Sequence, residues 1–319
     1  MIRLFLGNRV GALLLLPLVI AVYYLLNFQT GYYSQSAYVN LGLWDVVPVP
    51  SDVFKILSAI LILINAVSLN VVFNVNEFLE KNAYIISLLY VVTMSFYHSF
   101  YSLDGSLIAH TMIILMLYQF FKLKQNVDGR NEVFNGSFFA GLAATLYPPL
   151  LLSWIFILIM ILIIRPIIFR EILISLFSFL TPIAFALTFI WFNQTEVNLQ
   201  ILQDKTNFQL QTDFIISIVV FGILLFLSTL TLLPRLQKSS IRLKKQIQIL
   251  WILIVLSIIF GVSDFIFFKQ IERFSLLMIP LSIILSYSFY HKNYGLVATI
   301  IFYLTMLYSV LKFFIFSPQ

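Results

Sequence analysis

Long apolar stretches alternate with short polar ones along the whole chain. A helix needs about 20 residues to span the hydrocarbon core of a bilayer, and about 17 is the practical minimum. We predict eleven spans in these stretches, and the predicted fold is an all-α, polytopic membrane helix bundle that forms one integral membrane domain over residues 1–319. The apolar runs lie at residues 10–26, 54–74, 83–97, 106–121, 134–147, 149–164, 171–192, 214–233, 247–262, 273–290 and 294–316.

The segment 134–164 is ambiguous, because its 31 residues are too few for two standard spans and too many for one. Pro148 and Pro149 stand in its middle, and a proline pair removes two backbone donors and breaks a helix. With two short helices hinged there, 14 of the 19 lysine and arginine residues fall on the side of the N-terminus and 5 on the other. With one broken helix the division is 10 to 9. The positive-inside bias favours the hinged pair, with a cytoplasmic N-terminus.

Small residues recur four apart in the first half of this segment. Gly136 pairs with Ala140, and Ser137 pairs with Gly141. Small residues at this spacing let two membrane helices approach closely, so we predict tight helix packing here.

Three polar stretches are longer than the others. External loops are predicted at about 27–53 and 193–213, and a basic cytoplasmic loop at about 234–246. The basic loop carries five positive charges between Arg235 and Lys245. Such a cluster is an orientation signal or a contact for anionic lipid or a cytoplasmic partner.

Composition supports a membrane protein and excludes several classes of function. Apolar and aromatic residues make up 61% of the chain and charged residues 10%, against about 45–50% and about 25% in a soluble globular protein. This balance excludes a soluble enzyme, a disordered protein and a nucleic-acid binder. The absence of cysteine excludes disulfides, thiolate metal sites and cysteine nucleophiles. No cofactor is evident, and no cluster of ligands predicts a divalent metal.

Charged side chains close to the external side of the membrane are the candidate site, because charge is costly there. An acid can serve as a catalytic base, and an arginine can hold a phosphate. We therefore predict that acids and an arginine from three external loops share one polar pocket. The candidates are the acids Asp45, Asp104 and Glu272, the cations Lys269 and Arg273, and the histidines His98 and His110.

Four motifs carry a family resemblance. They are Asn65-Ala-Val-Ser-Leu-Asn70, Phe78-Leu-Glu-Lys-Asn-Ala-Tyr84, Phe138 through Pro149, and Arg165-Pro-Ile-Ile-Phe-Arg-Glu171. From about residue 55 to its end the chain resembles a family of polytopic inner-membrane proteins of gliding-type, outer-membrane-bearing bacteria. That family is catalogued as a domain of unknown function. The resemblance implies a bacterial inner-membrane location and no established activity.

A more distant likeness is to the GT-C glycosyltransferases, which use polyprenyl-phosphate-linked donors. The stretch from Glu272 and Arg273 to Pro280 is similar to the start of a late helix in that superfamily. The chain departs from the superfamily in its first external loop, where Asp45 stands without an adjacent acid. The likeness implies a GT-C-like fold, with Asp45 as base, Asp104 as ligand of a metal or of the donor, and Arg273 with Lys269 as phosphate holders.

Two hypotheses from different classes follow. The first is an enzyme or remnant enzyme that handles a polyprenyl-phosphate-linked glycan at the external face of the inner membrane. The second is a non-catalytic membrane subunit of a cell-envelope complex for export, motility or lipid traffic, whose partner is another membrane protein. A transporter ranks third, since the spans lack the paired charges that ion-coupled carriers need.

Overall fold

The computed structural model describes residues 2–7, 10–33, 41–44, 51–124, 128–166, 168–193, 212–268, 272–290 and 295–315. Within this part of the chain the fold is all-α, as predicted, and it contains no β-strand. The helices are α1 (Ile2–Leu6), α2 (Leu16–Thr30), α3 (Ser51–Val75), α4 (Ile85–Met94), α5 (Gly105–Lys122), α6 (Arg130–Leu146), α7 (Ser153–Ile164), α8 (Phe169–Asn193), α9 (Thr212–Lys238), α10 (Ile241–Phe268), α11 (Met278–Leu285) and α12 (Gly295–Ile315). In the same described residues, five 3₁₀ segments supplement them, at Val10–Leu15, His98–Phe100, Pro148–Leu152, Glu272–Leu277 and Ser286–Tyr290.

The helices have the lengths and the apolar character of a multi-pass membrane protein. Seven helical segments in the described residues are long and apolar enough to cross a bilayer. They are Gly11–Thr30, Val53–Val75, Gly105–Lys122, Phe169–Asn193, Ile215–Lys238, Ile241–Ser263 and Gly295–Ile315. Shorter helical segments cover the other four apolar runs, so each predicted run has its helix.

Two short helices form the centre of the bundle. All ten residues of α4 and all eight of α11 are buried, and the two helices pack against each other. The two helices have ten and eight residues, fewer than the about 17 that a membrane span needs, and other helices surround them on all sides. In contrast, α8 and α9 lie at the periphery, and α8 exposes large side chains such as Phe185 and Trp191. Exposed apolar surface of this kind is what a lipid-facing helix presents.

The chain reverses at the proline pair, as the sequence predicts. The helix α6 ends at Leu146, and a 3₁₀ turn from Pro148 leads into α7. Next to it, α8 runs parallel to α6: the Ser178 hydroxyl donates to the Phe134 carbonyl near the start of α6, and Gly141 meets Pro182 farther along both helices. The intervening α7 must therefore travel back across the bundle.

Close helix packing at the small residues is also confirmed. A Cβ atom on Gly141 would collide with the Phe179 carbonyl oxygen of α8, and one on Gly136 would lie 2.6 Å from the Phe120 ring of α5. Close packing of α6 against both neighbours thus depends on glycine at these two positions.

Two predicted boundaries differ from the structure. The first external loop was expected from residue 27, but α2 continues to Thr30. The basic loop expected at 234–246 is mostly helical, because only Ser239 and Ser240 separate α9 from α10. Lysine and arginine are good helix formers, so both helices continue past the apolar run. Most of the predicted external loop 193–213 lies outside the described residues.

The alternating helices give the bundle two ends of different character. We call one the aromatic end, which comprises residues 30–33, 41–44, 95–104, 145–148, 272–277 and 309–315. We call the other the basic end, which comprises residues 76–84, 122–124, 128–130, 164–166, 168–171, 235–246 and 286–290. Contacts between distant segments define each end: Lys312 bonds to Tyr33 at the first, and Lys245 bonds to the Ile164 carbonyl at the second.

Candidate functional site

A fully buried lysine lies at the aromatic end. Lys312, near the end of α12, has no exposed surface. Its Nζ atom donates to the Tyr33 hydroxyl oxygen at 2.9 Å and to the Ser95 carbonyl oxygen at 2.6 Å. The same atom lies 4.6 Å from the centre of the Phe96 ring and 5.2 Å from that of Phe313. Oxygen acceptors and ring faces together stabilise an ammonium group that water does not reach.

Stacked tyrosines connect this lysine to His98. The Tyr33 ring stacks on the Tyr101 ring, with centroids 4.6 Å apart and an interplanar angle of 16°. The His98 ring lies 6.3 Å from the Tyr33 ring, and its Nδ1 atom is 2.9 Å from the Ser102 hydroxyl. The Tyr101 hydroxyl donates to the Ser95 carbonyl, which also accepts from the lysine. His98, a predicted pocket residue, is therefore part of a packed aromatic cluster.

Asp104 performs a visible structural role at the start of α5. Its Oδ1 atom accepts from the Leu107 amide and from the Ser106 hydroxyl, both at 2.9 Å. This is the N-cap arrangement, which satisfies a backbone donor that the first helical turn leaves without a partner. The side chain is half-buried rather than enclosed.

His110 lies deeper, between helices, and is fully buried. Its Nδ1 atom is 2.9 Å from the Tyr90 hydroxyl, and its Nε2 atom is 3.3 Å from the Ser275 hydroxyl. The next residue, Thr111, donates its hydroxyl to the side-chain oxygen of Asn65 at 2.7 Å. Both ring nitrogens of His110 thus have partners within the bundle.

The segment that carries Glu272 and Arg273 lies against these elements. The 3₁₀ turn Glu272–Leu277 packs on the turn His98–Phe100 and on α5, and its Ser275 is the neighbour of His110. The side chains of Glu272 and Arg273, and all of Lys269, lie outside the described residues.

Asp45 also lies outside the described residues, but the chain just before it is docked at the aromatic end. The Leu43 amide donates to the Thr145 carbonyl at 2.8 Å, and the Trp44 indole nitrogen donates to the Thr145 hydroxyl at 3.2 Å. Gly42 has a φ of +69°, and a Cβ atom there would collide with the Leu146 carbonyl. Only glycine meets both requirements at this close approach.

Lys312 and Tyr33 are not among the candidate residues that the sequence predicts for this end of the bundle. A signal for the lysine was present, because Lys312 is the one charged residue between Gly295 and Ile315. A charge inside an apolar span is a candidate functional residue by default. No comparable signal marked Tyr33, since aromatic residues are common near membrane interfaces.

The basic end contains a buried ion pair. The Arg165 guanidinium bonds to the Glu171 carboxylate and to the Lys124 carbonyl oxygen, and both charged side chains are almost fully buried. These residues belong to the Arg-Pro…Arg-Glu stretch that contributes to the family resemblance. The second Glu171 oxygen, Oε2, has no hydrogen-bond partner within the described part of the chain.

Within the described ranges, no group of three or more histidine, aspartate or glutamate side chains could hold a metal ion. No family model matches the chain, and no curated protein or solved structure is significantly similar to it. The two family resemblances stay predictions.

Proposed function

We propose that the protein crosses the bacterial inner membrane eleven times in a GT-C-like arrangement, with its N-terminus in the cytoplasm, and handles a polyprenyl-phosphate-linked glycan at the external face. One observation carries this proposal. The 3₁₀ turn Glu272–Leu277 packs on the turn His98–Phe100 and on α5, which Asp104 caps, and residues 41–44 dock on the end of α6 at the same end of the bundle.

Each candidate group has a distinct part in the proposed transfer. Asp45 takes the proton of the acceptor hydroxyl, and Asp104 binds the donor or a metal that holds it. Arg273, with Lys269, balances the charge that develops on the leaving phosphate.

Complementation of a deletion strain tests the enzyme proposal, with lipid-linked sugar followed by mass spectrometry. Asp45→Asn keeps the shape and removes the base, so we expect lower turnover with nearly unchanged donor binding. Arg273→Lys keeps the charge and loses the planar fork, so we expect weaker donor binding. Asp128→Asn, in an exposed ion pair at the opposite end, is the matched control. Full complementation by the double variant Asp45→Asn with Arg273→Ala would contradict the enzyme proposal.

A specific observation favours the second candidate, a non-catalytic subunit of a cell-envelope complex. Asp104 caps a helix, and both nitrogens of His110 are engaged inside the bundle, so each has a complete structural role. This candidate predicts that another membrane protein co-purifies in a fixed ratio after mild detergent extraction. Purification as a single species that retains transferase activity would contradict it.

The proposed orientation is tested with single cysteines, since the chain has none of its own. Ser240→Cys lies at the basic end, and Gln29→Cys lies near the aromatic end at an exposed position. In intact spheroplasts an impermeant maleimide should label the second variant and leave the first unlabelled until the membrane is opened. Labelling of position 240 in intact cells would refute the orientation.

A further inference from the structure

A cavity of about 280 Å³ opens at the basic end, between the end of α9 and the 3₁₀ turn that follows α11. It is lined by Thr231, Pro234, Arg235, Lys238, Tyr287 and Tyr290. Two of these six side chains are cations and none is an acid. These cations, Arg235 and Lys238, are the first two positive charges of the basic stretch that ends at Lys245. The sequence predicts that this stretch is either an orientation signal or a contact for anionic lipid or a cytoplasmic partner.

The guanidinium of Arg235 lies over an aromatic ring whose position is fixed by a hydrogen bond. The Arg235 Cζ atom lies 5.6 Å from the centre of the Tyr287 ring. Tyr287 is buried, and its hydroxyl donates to the Phe78 carbonyl oxygen at 2.9 Å, so the ring cannot turn freely. A guanidinium held in this way is oriented before a ligand arrives, and its planar fork matches the geometry of a phosphate.

The cavity lies where the apolar part of α9 ends. Phe226, Leu230 and Leu233 are exposed at helical spacing on one face of α9, and Pro234, which lines the cavity, lies one turn beyond Leu230 beside this face. A change from exposed apolar to cationic side chains within one turn is typical of the depth at which lipid headgroups lie. Ordinary ligand pockets have volumes of at least about 300 Å³, and this cavity is slightly smaller. A lipid headgroup could occupy a cavity of this size while the acyl chains of the lipid remain outside it.

We propose that this cavity binds the phosphate of an anionic glycerophospholipid. Arg235 and Lys238 contact the phosphate oxygens, and the acyl chains lie along the apolar stripe of Phe226, Leu230 and Leu233. Basic pockets between membrane helices are suited to this class of ligand, because the lipid supplies negative charge and apolar surface together. The inference is independent of the proposed function, since the cavity lies at the opposite end of the bundle.

Binding of short-chain lipid to the full-length protein tests the inference. Protein freed of lipid in a neutral detergent is titrated with dioctanoyl phosphatidylglycerol, dioctanoyl phosphatidylcholine and inorganic phosphate in a calorimeter. We expect phosphatidylglycerol to bind most tightly. Each of Arg235→Gln and Lys238→Gln should weaken it about fivefold, and both together about thirtyfold. Arg235→Lys, which keeps the charge, should weaken it about twofold through loss of the fork.

Lys244→Gln is the matched control, because it removes one charge from the same basic stretch without lining the cavity. It should leave phosphatidylglycerol binding within about twofold of the parent. If Lys244→Gln weakens phosphatidylglycerol binding as much as Arg235→Gln does, the attraction is diffuse and the proposed site is wrong. Inorganic phosphate that binds as tightly as phosphatidylglycerol, and competes with it, would overturn the lipid as ligand. Unchanged thermal unfolding of the lipid-free variants verifies that the fold is intact.

Discussion

The two ends of the bundle bury positive charge in different ways. At the aromatic end, Lys312 is held by the Tyr33 hydroxyl, the Ser95 carbonyl and surrounding ring faces. At the basic end, Arg165 is held by the Glu171 carboxylate and by a backbone carbonyl. The first environment stabilises a cation with dipoles and quadrupoles, and the second with an opposite full charge.

This difference has a consequence for substitution. An ion pair that loses one partner leaves a buried charge facing an apolar or neutral neighbour, which is costly. A cation held by dipoles can be replaced by an apolar side chain of similar size with little further loss, because the dipoles keep other partners. The Ser95 carbonyl, for example, also accepts from Tyr101. Substitutions of Glu171 and Lys312 test this difference, and substitutions of Gly141 and Asp104 test the packing and the capping of the helices that carry the two ends.

The largest effect is expected at the basic end. Glu171→Gln keeps the shape and removes the carboxylate charge that faces the Arg165 guanidinium. We expect a loss of about 3–5 kcal/mol in the free energy of unfolding, measured by denaturant titration in mixed micelles. Arg165→Met combined with Glu171→Leu should recover much of this loss, because no buried charge is left.

The exposed pair of Arg130 and Asp128, 3.2 Å apart, is the matched control. Asp128→Asn should cost less than about 1 kcal/mol, because solvent screens this pair. A loss at Glu171→Gln no greater than at Asp128→Asn would remove the contrast between buried and exposed pairs.

At the aromatic end, Lys312→Ala should cost about 3 kcal/mol, because it leaves a cavity among the rings that surround the ammonium group. Lys312→Met keeps most of the volume and should cost only about 1 kcal/mol. The same unfolding titration measures both. Lys55→Ala, at a half-exposed lysine near the aromatic end, is the control and should change little. Equal losses of unfolding free energy in the Met and Ala variants would mean that the positive charge of Lys312, and not its volume, stabilises this end of the bundle.

The helices α6 and α8 run side by side in close contact between the two ends. Gly141→Ala places a methyl group against the Phe179 carbonyl, which cannot move without moving α8. We expect a loss of about 2 kcal/mol in the free energy of unfolding. Gly222→Ala in α9 is the control, since nothing lies within 4 Å of the added Cβ atom. That substitution should be neutral or stabilise by up to about 1 kcal/mol.

The smallest effect is expected at the helix cap of the aromatic end. Asp104→Ala removes the acceptor for the Leu107 amide and should cost about 1 kcal/mol. Asp104→Asn keeps an acceptor oxygen and should cost much less. Melting temperatures of the purified variants provide the measurement. If the Asn variant loses as much stability as the Ala variant, the carboxylate charge has a role beyond capping.

The helical segments could be placed from sequence because hydrophobic length is a local property. Each apolar run contains enough information to become a helix in lipid, whatever its neighbours are. The break at Pro148 is local as well, since a proline pair interrupts a helix in any context. The predicted ends of α2, α9 and α10 were less accurate, because these helices continue through polar and basic residues beyond the hydrocarbon region.

The candidate site was predictable only at the level of segments. Alternation of spans brings the turn with Asp104 and the turn with Arg273 to the same side, and the structure packs these turns together. Alternation does not reveal that Asp104 caps α5, or that His110 faces Tyr90 and Ser275. Those pairings depend on the rotation of each helix about its axis, which packing determines.

The apolar runs alone were enough to predict an all-α, multi-pass membrane protein and the positions of its helical segments. The tertiary structure alone decided which polar groups meet. Lys312 lies 217 residues from Ser95 and 279 from Tyr33 along the chain. Contacts across such separations form only when several helices pack at once, and no local pattern of apolar and polar residues encodes them.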